Sequence, residues 1–336
     1  MVCLEMELRE RANFARYVPG QTQGHYESYF QRANHPTRPL AFWIRYTIFS
    51  PRGRPDMALG ELWAVYFDGE ARTHVAAKSE FPFSRCSFAR DAFDVSIAGS
   101  VLRAGSLVGS AGSGSSRIWW DLRYEGGQDP LFDLPLKYYD RRFPQAKALV
   151  GVPLARYAGT LTVNGKAVEV DRWVGTQNHN WGSKHTDHYA WGQVAGFTDY
   201  PDSLLELATA RLKTGPLWTP SMTLMVVRHR GVEYRLNEPL KSFRRASLRY
   251  FGWDFQAASR ALRVEGNIRA DAGDFVCLRY YNPSGGIKYC LNTKVASCHL
   301  KLWLRGASEP EVLEAQRRAA FEILTDKTDH GLTAAA

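Results

Sequence analysis

The sequence predicts an all-β protein, and three observations support this fold class. The apolar residues of many short segments alternate with polar ones, so that every second side chain shares a face. The 336 residues include ten Trp, sixteen Tyr and seventeen Phe, and aromatic residues favour strands. The alternation of strands with helices that builds a nucleotide-binding parallel sheet is not found. Short strands separated by turn signals are instead typical of sandwiches and barrels.

The first half of the chain begins with a lead-in, residues 1–19, that is amphipathic or irregular in sequence. In the segment 42–48, Phe42, Ile44 and Tyr46 share one face of a predicted strand. Similar alternation predicts strands at 59–67, 93–97 and 118–124. The segments 160–163 and 166–170 flank Asn164-Gly165. A two-residue Asn-Gly link between strands is a strong signal for a hairpin.

The second half repeats this style and ends in a predicted helix. Strands are expected at 222–236 around Arg230-Gly231, and at 262–269, 275–281 and 295–304. Ser308-Glu-Pro-Glu311 resembles a capping box with Pro in the first turn. The apolar residues from Val312 to Leu324 follow helical spacing. We therefore predict a C-terminal helix, followed by a tail at 326–336.

The charge and the cysteine content limit the partners and the cellular compartment that can be expected. The net charge is +9, but the basic residues are spread along the chain and no nucleic-acid-binding motif accompanies them. We expect a solvated basic surface with no nucleic-acid partner; a peripheral contact with an anionic membrane is compatible with it. The five cysteines include no C-x-x-C pair, which fits a reducing compartment.

The ends and the hydropathy of the chain lead to the same expectation. The segment 1–10 carries too many charges for a secretory signal. No stretch approaches the ~18 consecutive apolar residues of a spanning helix. We therefore expect a cytoplasmic protein that is at most peripheral to a membrane.

The densest mixture of polar and aromatic residues runs from Trp173 to Trp191. It contains three of the nine histidines, three Trp, one Tyr, one Lys and two Asn. Strands that only fill a core do not need this mixture, because a buried polar group costs free energy unless it is hydrogen-bonded. The segment is therefore the leading candidate for a functional site.

Three interpretations of this segment remain open. A metal site would use His179, His185 and His188, since three His suffice for a catalytic zinc, although His188 would face the opposite side of an extended strand. A structural interpretation is a polar network between packed sheets. The third is a metal-free site, in which His or Asn donates a hydrogen bond while aromatic faces stabilise positive charge.

At this point the sequence resembles a known family. Gly175-Thr-Gln-Asn-His-Asn-Trp-Gly182, with His185 and Tyr189-Ala-Trp191, is similar to the signature of the hydroxyneurosporene synthase and tocopherol cyclase-like proteins. Weaker matches extend the resemblance over roughly residues 24–305, at the segments 24–30, 43–50, 61–63 and 120–122.

The resemblance implies two tandem lipocalin-like antiparallel β-barrels with a pocket near their junction. The first barrel is expected at 20–195, and the second at 196–325 together with the C-terminal helix. Members of the family act on lipophilic, isoprenoid-like or polyketide-like molecules. Their reactions include alkene hydration, acid-promoted ring closure and, in fungal relatives, pericyclic cyclisation, all without a cofactor.

From this we hypothesise a cofactor-independent enzyme that hydrates or cyclises a carbon–carbon double bond of a lipophilic substrate, with no metal. The alternative is a non-catalytic carrier of a hydrophobic ligand, because an aromatic-lined barrel needs no acid or base to hold one. A carrier would return its ligand unchanged.

Individual residues can be given roles within the enzyme hypothesis. The candidate proton donors are His179, Glu27 and Asp121; burial beside aromatic residues would raise the pKa of a carboxyl and keep it protonated. Asn178 and Asn180 would orient the substrate or a water molecule. The remaining substrate-binding candidates are the aromatic and histidine side chains of Trp120, Trp181, His185, His188, Tyr189 and Trp191. Glu206, on the next predicted strand, could face the same pocket.

Overall fold

The computed structural model describes residues 2–238 and 246–336, apart from the side chains of residues 2–5 and 214. One α-helix, α1 (Val2–Glu10), occurs within these ranges, and the rest of the regular structure is almost entirely β. None of the helices in the described ranges has both the length and the apolar character that a bilayer crossing requires.

Twelve strands form the first sheet. They are β1 (His25–Asn34), β2 (Leu40–Ser50), β3 (Leu59–Asp68), β4 (Thr73–Pro82), β5 (Cys86–Phe88), β6 (Asp94–Ile97), β7 (Ser100–Arg103), β8 (Ser106–Ser113), β9 (Ser116–Gly126), β10 (Leu131–Phe132), β11 (Ala146–Val163) and β12 (Lys166–Gly182).

The first sheet closes almost completely into a barrel. Its strand order is β4-β3-β2-β1-β12-β11-β9-β8-β7-β6-β5, with β10 paired to β11. Hydrogen bonds between the Ser79 hydroxyl and the backbone of Gly112 link β4 to β8 across the remaining gap. The enclosed core contains Trp120, Trp173 and Tyr157. A closed sheet leaves few unpaired backbone groups at its edges.

The remaining strands belong to the second half of the chain. They are β13 (His188–Ala195), β14 (Leu204–Arg211), β15 (Lys213–Thr214), β16 (Leu217–Trp218), β17 (Met222–His229), β18 (Val232–Leu236), β19 (Ala246–Arg249), β20 (Gly252–Ala258), β21 (Leu262–Arg269), β22 (Val276–Tyr281), β23 (Ile287–Leu304) and β24 (Glu311–Thr325). Within residues 2–238 and 246–336, 3-10 turns lie at Pro55–Met57, Phe83–Arg85, Leu136–Tyr138 and Ala272–Asp274.

The second sheet wraps a core of its own. Its order is β18-β17-β14-β13-β24-β23-β21-β20-β19, with β22 paired to β23, while β15 and β16 form a separate hairpin. The core includes Trp253, Leu300 and Phe321. A third apolar cluster joins the two sheets, with Phe30 and Trp43 from the first and Trp191 and Tyr280 from the second. The all-β, two-barrel prediction is confirmed.

The chain passes from one sheet to the other between Gly182 and His188. The predicted first barrel extended to residue 195, but β13 pairs with β14 and β24 of the second sheet. The predicted tail also has structure: Ala335 donates a backbone hydrogen bond to Cys277 of β22.

The predicted C-terminal helix is wrong, because residues 311–325 form the strand β24 between β13 and β23. Leu313, Ala315, Ala319, Phe321 and Ile323 all reach the second core. From residue 319 onward both faces of the strand are buried. A strand buried on both faces has consecutive apolar residues, and such a run cannot be distinguished from a helix by periodicity.

The two hairpins predicted from a pair of adjacent turn residues are confirmed. Asn164 and Gly165 have φ of 48° and 83° between β11 and β12, and Arg230 and Gly231 have φ of 51° and 75° between β17 and β18. Two consecutive residues with positive φ are what a type I′ turn requires.

Candidate functional site

The pairing of β1 with β12 brings distant polar residues together inside the first barrel. In this register Tyr29 lies opposite His179, and Gln31 lies opposite Gln177. Because side chains alternate along a strand, Glu27 shares the inner face with Tyr29 and Gln31. We call the side of β12 that carries Gln177 and His179 its inner face, and the side that carries Asn178 its outer face.

Glu27 is fully buried and accepts hydrogen bonds from every direction. The backbone N–H groups of Arg16 and Tyr17 donate to it at 2.7 and 2.8 Å. The Tyr29 hydroxyl donates at 3.2 Å. Imidazole nitrogens of His179 and His25 lie 2.8 and 3.1 Å from its oxygens. The segment before β1 is thereby tied to the barrel wall.

These donors determine the ionisation of Glu27. Burial alone raises the pKa of a carboxyl, but the hydrogen bonds from His179 and His25, and their charge, outweigh burial and hold the pKa of Glu27 well below its usual range. The expectation that burial keeps Glu27 protonated is therefore wrong. Burial alone would keep the carboxyl protonated, but the five hydrogen-bond donors around Glu27 stabilise the carboxylate.

His179 shares a proton with Glu27. Its Nδ1 lies 2.7 Å from the carbonyl oxygen of Ala12, and its Nε2 lies 2.8 Å from Oε1 of Glu27. Burial lowers the pKa of His179, and Glu27 opposes this. A carbonyl can only accept, so Nδ1 carries a proton, and Nε2 then faces a carboxylate. One further proton must lie in the Nε2–Oε1 hydrogen bond.

Aromatic rings connect this pair to a cavity. Tyr29 stacks on His179 with ring centroids 4.2 Å apart, and Phe93 stacks on Tyr29 at 5.6 Å. Phe93, Tyr124 and Asn13 line a cavity of about 330 Å³ beneath α1 and the segment that follows it. The cavity lining combines aromatic rings with the charged residues Arg9, Glu10 and Glu125, and a mixture of apolar and polar groups is usual in a small-molecule site.

The outer face of β12 enters a second buried network, at the junction of the two sheets. The side-chain amide of Gln193 donates to Asn178 at 2.9 Å and to Glu206 at 2.7 Å. The guanidinium of Arg32 donates to the oxygen of the same Gln193 side chain at 2.7 Å. Trp191 donates its indole N–H to Glu206. Glu206 thus faces the motif, as the sequence suggested.

Ionisation at the junction is opposite to that at Glu27. Burial, followed by the nearby Asp133 carboxyl, raises the pKa of Glu206 well above its usual range. Burial also raises the pKa of Asp133 to about 7. Asp133 Oδ1 has no hydrogen-bond partner among the described residues. The junction therefore holds a neutral carboxyl at neutral pH.

The other predicted wall residues divide between these two regions. Trp181 packs on the inner side, 4.6 Å from the His179 ring and beneath the Arg16 guanidinium at 5.1 Å. Tyr189 and Trp191 lie at the junction. Asn180 is half-buried, and its Oδ1 has no partner among the described residues. The predicted wall is therefore not one surface.

Four predicted residues lie away from the Glu27–His179 pair. Asp121 is exposed on the outside of β9, so it is not placed to protonate a buried substrate. Trp120 fills the barrel core and donates to the Tyr46 hydroxyl at 2.9 Å. His185 stacks on Tyr26 at 3.9 Å, and burial lowers its pKa to about 3. His188 is half-buried at the start of β13, and burial lowers its pKa.

Across residues 2–238 and 246–336, no three His, Cys, Asp or Glu side chains are grouped as metal ligands. His179 lies inside the first barrel, His185 follows β12 and His188 begins β13, so the three histidines of the motif do not converge.

Sequence reasoning missed Asp133, Asn13, Gln31 and Gln177. Asp133 lies between the short strand β10 and the next turn, in a segment without periodicity. Gln31 and Gln177 lie within segments that resemble the family, but only the register between β1 and β12 reveals that they face each other.

Comparisons with known proteins place this geometry in context. The profile of the tocopherol cyclase-like family matches residues 144–323. Two uncharacterized proteins from strains of Mycobacterium tuberculosis are each 25% identical over 309 residues, covering 87% of this chain and 90% of the relative.

Solved structures share the fold at low sequence identity. A protein from Nitrosomonas europaea described as AttH superposes with a TM-score of 0.57 at 12% identity, over 92% of this chain and 98% of its own. Kievitone hydratase from Nectria haematococca gives 0.54 at 9%, over 90% and 89%. CghA in complex with Sch210972 gives 0.51 at 9%, over 94% and 96%.

Proposed function

The chain belongs to the tocopherol cyclase-like family, and from this premise we propose that it is a cofactor-independent enzyme that hydrates or cyclises a carbon–carbon double bond. We further propose that its substrate is lipophilic, of isoprenoid or polyketide type. A hydratase among the proteins of similar fold supports the reaction class. Three aromatic residues of the cavity lining, Phe14, Phe93 and Tyr124, support the substrate class.

One observation carries this proposal: His179 Nε2 and Glu27 Oε1 lie 2.8 Å apart inside the barrel, and we infer that the pair holds one proton between them. Hydration and acid-promoted cyclisation both begin when a proton is added to an alkene carbon. An acid is effective when it is held in place and its proton is replaced after each turnover. We propose that the pair supplies this proton and that neighbouring aromatic faces stabilise the carbocation.

Access to the pair involves the segment after α1. Ala12 covers Nδ1 of His179, and Arg16 and Tyr17 bind Glu27 through their backbone N–H groups. The cavity lies beneath the same segment. We infer that this segment moves when substrate enters, since it lines the cavity and also covers His179.

The junction offers a competing acid. Glu206 is buried and neutral, and it lies beside the aromatic side chain of Trp191. A neutral carboxyl in a buried site can also donate a proton. The inner pair is preferred because Tyr29, which stacks on His179, also stacks on Phe93 of the cavity lining.

The proposal is tested by identifying the lipophilic molecules that co-purify with the protein and measuring their turnover by mass spectrometry. His179→Gln keeps a hydrogen-bonding side chain but cannot carry the proton. We expect it to lower kcat by about 10²-fold or more. His299→Ala, at an exposed histidine of β23, is the matched control and should leave kcat unchanged.

Two outcomes would redirect the assignment. Loss of activity in Glu206→Gln, with His179→Gln active, would move the chemistry to the junction. Return of every ligand unchanged, with variants that alter affinity only, would identify a carrier instead of an enzyme.

A further inference from the structure

Three side-chain amides close to the cavity have hydrogen-bonding atoms unused. They are Oδ1 of Asn13, Nε2 of Gln31 and Oε1 of Gln177, and none has a partner among the described residues. Gln31 and Gln177 are both fully buried. We call these three residues the amide cluster. A buried amide atom without a partner costs free energy, so a ligand is expected to satisfy it.

The fold holds these amides in place. Gln31 and Gln177 are a direct cross-strand pair on β1 and β12. The Tyr157 hydroxyl donates to Oε1 of Gln31 at 2.6 Å, which leaves Nε2 as the free donor. Nε2 of Gln177 donates to the carbonyl of Asn178 at 3.0 Å, which leaves Oε1 as the free acceptor.

Gly151 on β11 shows where two of the amides, those of Gln177 and Asn13, converge. A Cβ at this position would lie 2.1 Å from Oε1 of Gln177 and 2.7 Å from both amide atoms of Asn13. Gly151 and Asn13 also line the cavity of about 330 Å³. The glycine thus leaves room at the wall where the polar atoms meet.

The number of unused hydrogen-bond donors and acceptors defines the ligand. Two acceptors and one donor require a group that donates two hydrogen bonds and accepts one. A water molecule meets this requirement, and about three partners is typical of buried water. We propose that Asn13, Gln31 and Gln177 bind one water molecule, and that this water is the co-substrate of a hydration. This inference rests on the proposed function and selects hydration over cyclisation.

The position suits that role. Gln177 is two residues from His179 on the same face of β12, a separation of about 6.6 Å along the strand. Asn13 follows Ala12, whose carbonyl binds His179. In the hydration, the Glu27–His179 pair gives a proton to one alkene carbon. The water oxygen then bonds to the other carbon and returns a proton to the pair, so no oxidant or reductant is consumed.

Occupancy of the site can be measured on the full chain without any substrate. Oxygen-17 relaxation dispersion counts long-lived internal water molecules. Gly151→Ala should show one fewer than wild type, because its Cβ pushes the amides into the water position. Gly112→Ala is the matched control, since its Cβ would meet nothing closer than 3.5 Å. Asn13→Ala, which removes one acceptor from the half-buried segment, should shorten the water residence time if Gly151→Ala folds poorly.

Equal water counts in wild type and Gly151→Ala, with an unchanged residence time in Asn13→Ala, would overturn the site. A crystal structure in which Nε2 of Gln31 bonds directly to Oε1 of Gln177 would also overturn it.

The role of the water is tested separately with H₂¹⁸O as the probe. We expect the heavy oxygen in the product of the co-purified alkene, and a kcat for Asn13→Ala lower by about 10-fold with little change in KM. Conversion without label would make the enzyme a cyclase and overturn the co-substrate role alone. Absence of any conversion would contradict the proposed function, while the relaxation measurement still decides whether the water site exists.

Discussion

Asn178 and His179 are consecutive residues of β12, yet they lead to two buried glutamates with opposite ionisation. His179 points into the first barrel and binds Glu27, whose pKa is lowered. Asn178 points to the junction and reaches Glu206 through Gln193, and the pKa of Glu206 is raised. Both glutamates are buried.

The donors around each carboxyl explain the difference. Glu27 accepts from two backbone N–H groups, a hydroxyl and two imidazoles. Glu206 has two neutral donors, Trp191 and Gln193, and the Asp133 carboxyl raises its pKa further. Burial sets the cost of a charge, but the number and charge of the donors decide whether the charge persists.

The largest effect that would test this comparison is on stability. Glu27→Gln should lower the free energy of unfolding by about 3–5 kcal/mol, because the buried pair loses its negative charge and one acceptor oxygen is replaced by an NH2 group that faces other donors. Glu206→Gln should cost about 1 kcal/mol or less, since it replaces a neutral group. Urea unfolding at pH 7 measures both, and equal losses would contradict the assigned ionisation.

A smaller and opposite effect is expected at Asp133. Its pKa is raised to about 7, so at pH 8 the native state holds a buried charge that the unfolded state solvates easily. Asp133→Asn should therefore stabilise the protein at pH 8 by on the order of 2 kcal/mol. At pH 3 both states bind the proton and the gain should vanish. Thermal unfolding at the two pH values tests this sign.

The dependence of stability on acid pH should distinguish Glu27 from Glu206 in a third measurement. The pKa of Glu27 is lowered in the native state, so below about pH 4.5 the unfolded state binds a proton that the native state does not. Stability should fall as pH falls, by up to about 1.4 kcal/mol per pH unit from this residue. Glu27→Gln should lack this contribution in unfolding titrations between pH 5 and 3, and an identical slope would contradict it.

The smallest effect is expected outside both regions. Asp121 is exposed on β9, so Asp121→Asn should change stability by no more than about 0.5 kcal/mol and leave turnover unchanged. A marked loss of turnover would restore Asp121 as a candidate acid.

Local sequence patterns predicted the strands and hairpins of this fold but not the contacts of its site. The Asn164-Gly165 turn depends on two adjacent residues. The Glu27–His179 contact joins residues 152 positions apart and depends on the register between β1 and β12. The sequence around Asp133 and Asn13 does not indicate a role for either residue, because their roles arise only from packing against other parts of the chain.

The prediction of a helix at 308–324 was wrong for a different reason. Apolar spacing there satisfied helical periodicity, but β24 is a strand between two neighbours and is buried on both faces from residue 319 onward. Tertiary pairing overrode a local pattern that was compatible with both structures.

The order of strands also governs how the molecule folds. The first sheet joins β1 to β12, and the second joins β13 to β24, where Tyr189 pairs with Leu324. Such non-local closure slows folding. At about 5–20 residues per second, synthesis leaves β1 without its β12 partner for roughly seven to thirty seconds. During that interval the unpaired edge of β1 is open to pairing with other chains. Yield in a cell should therefore depend strongly on temperature and on chaperones.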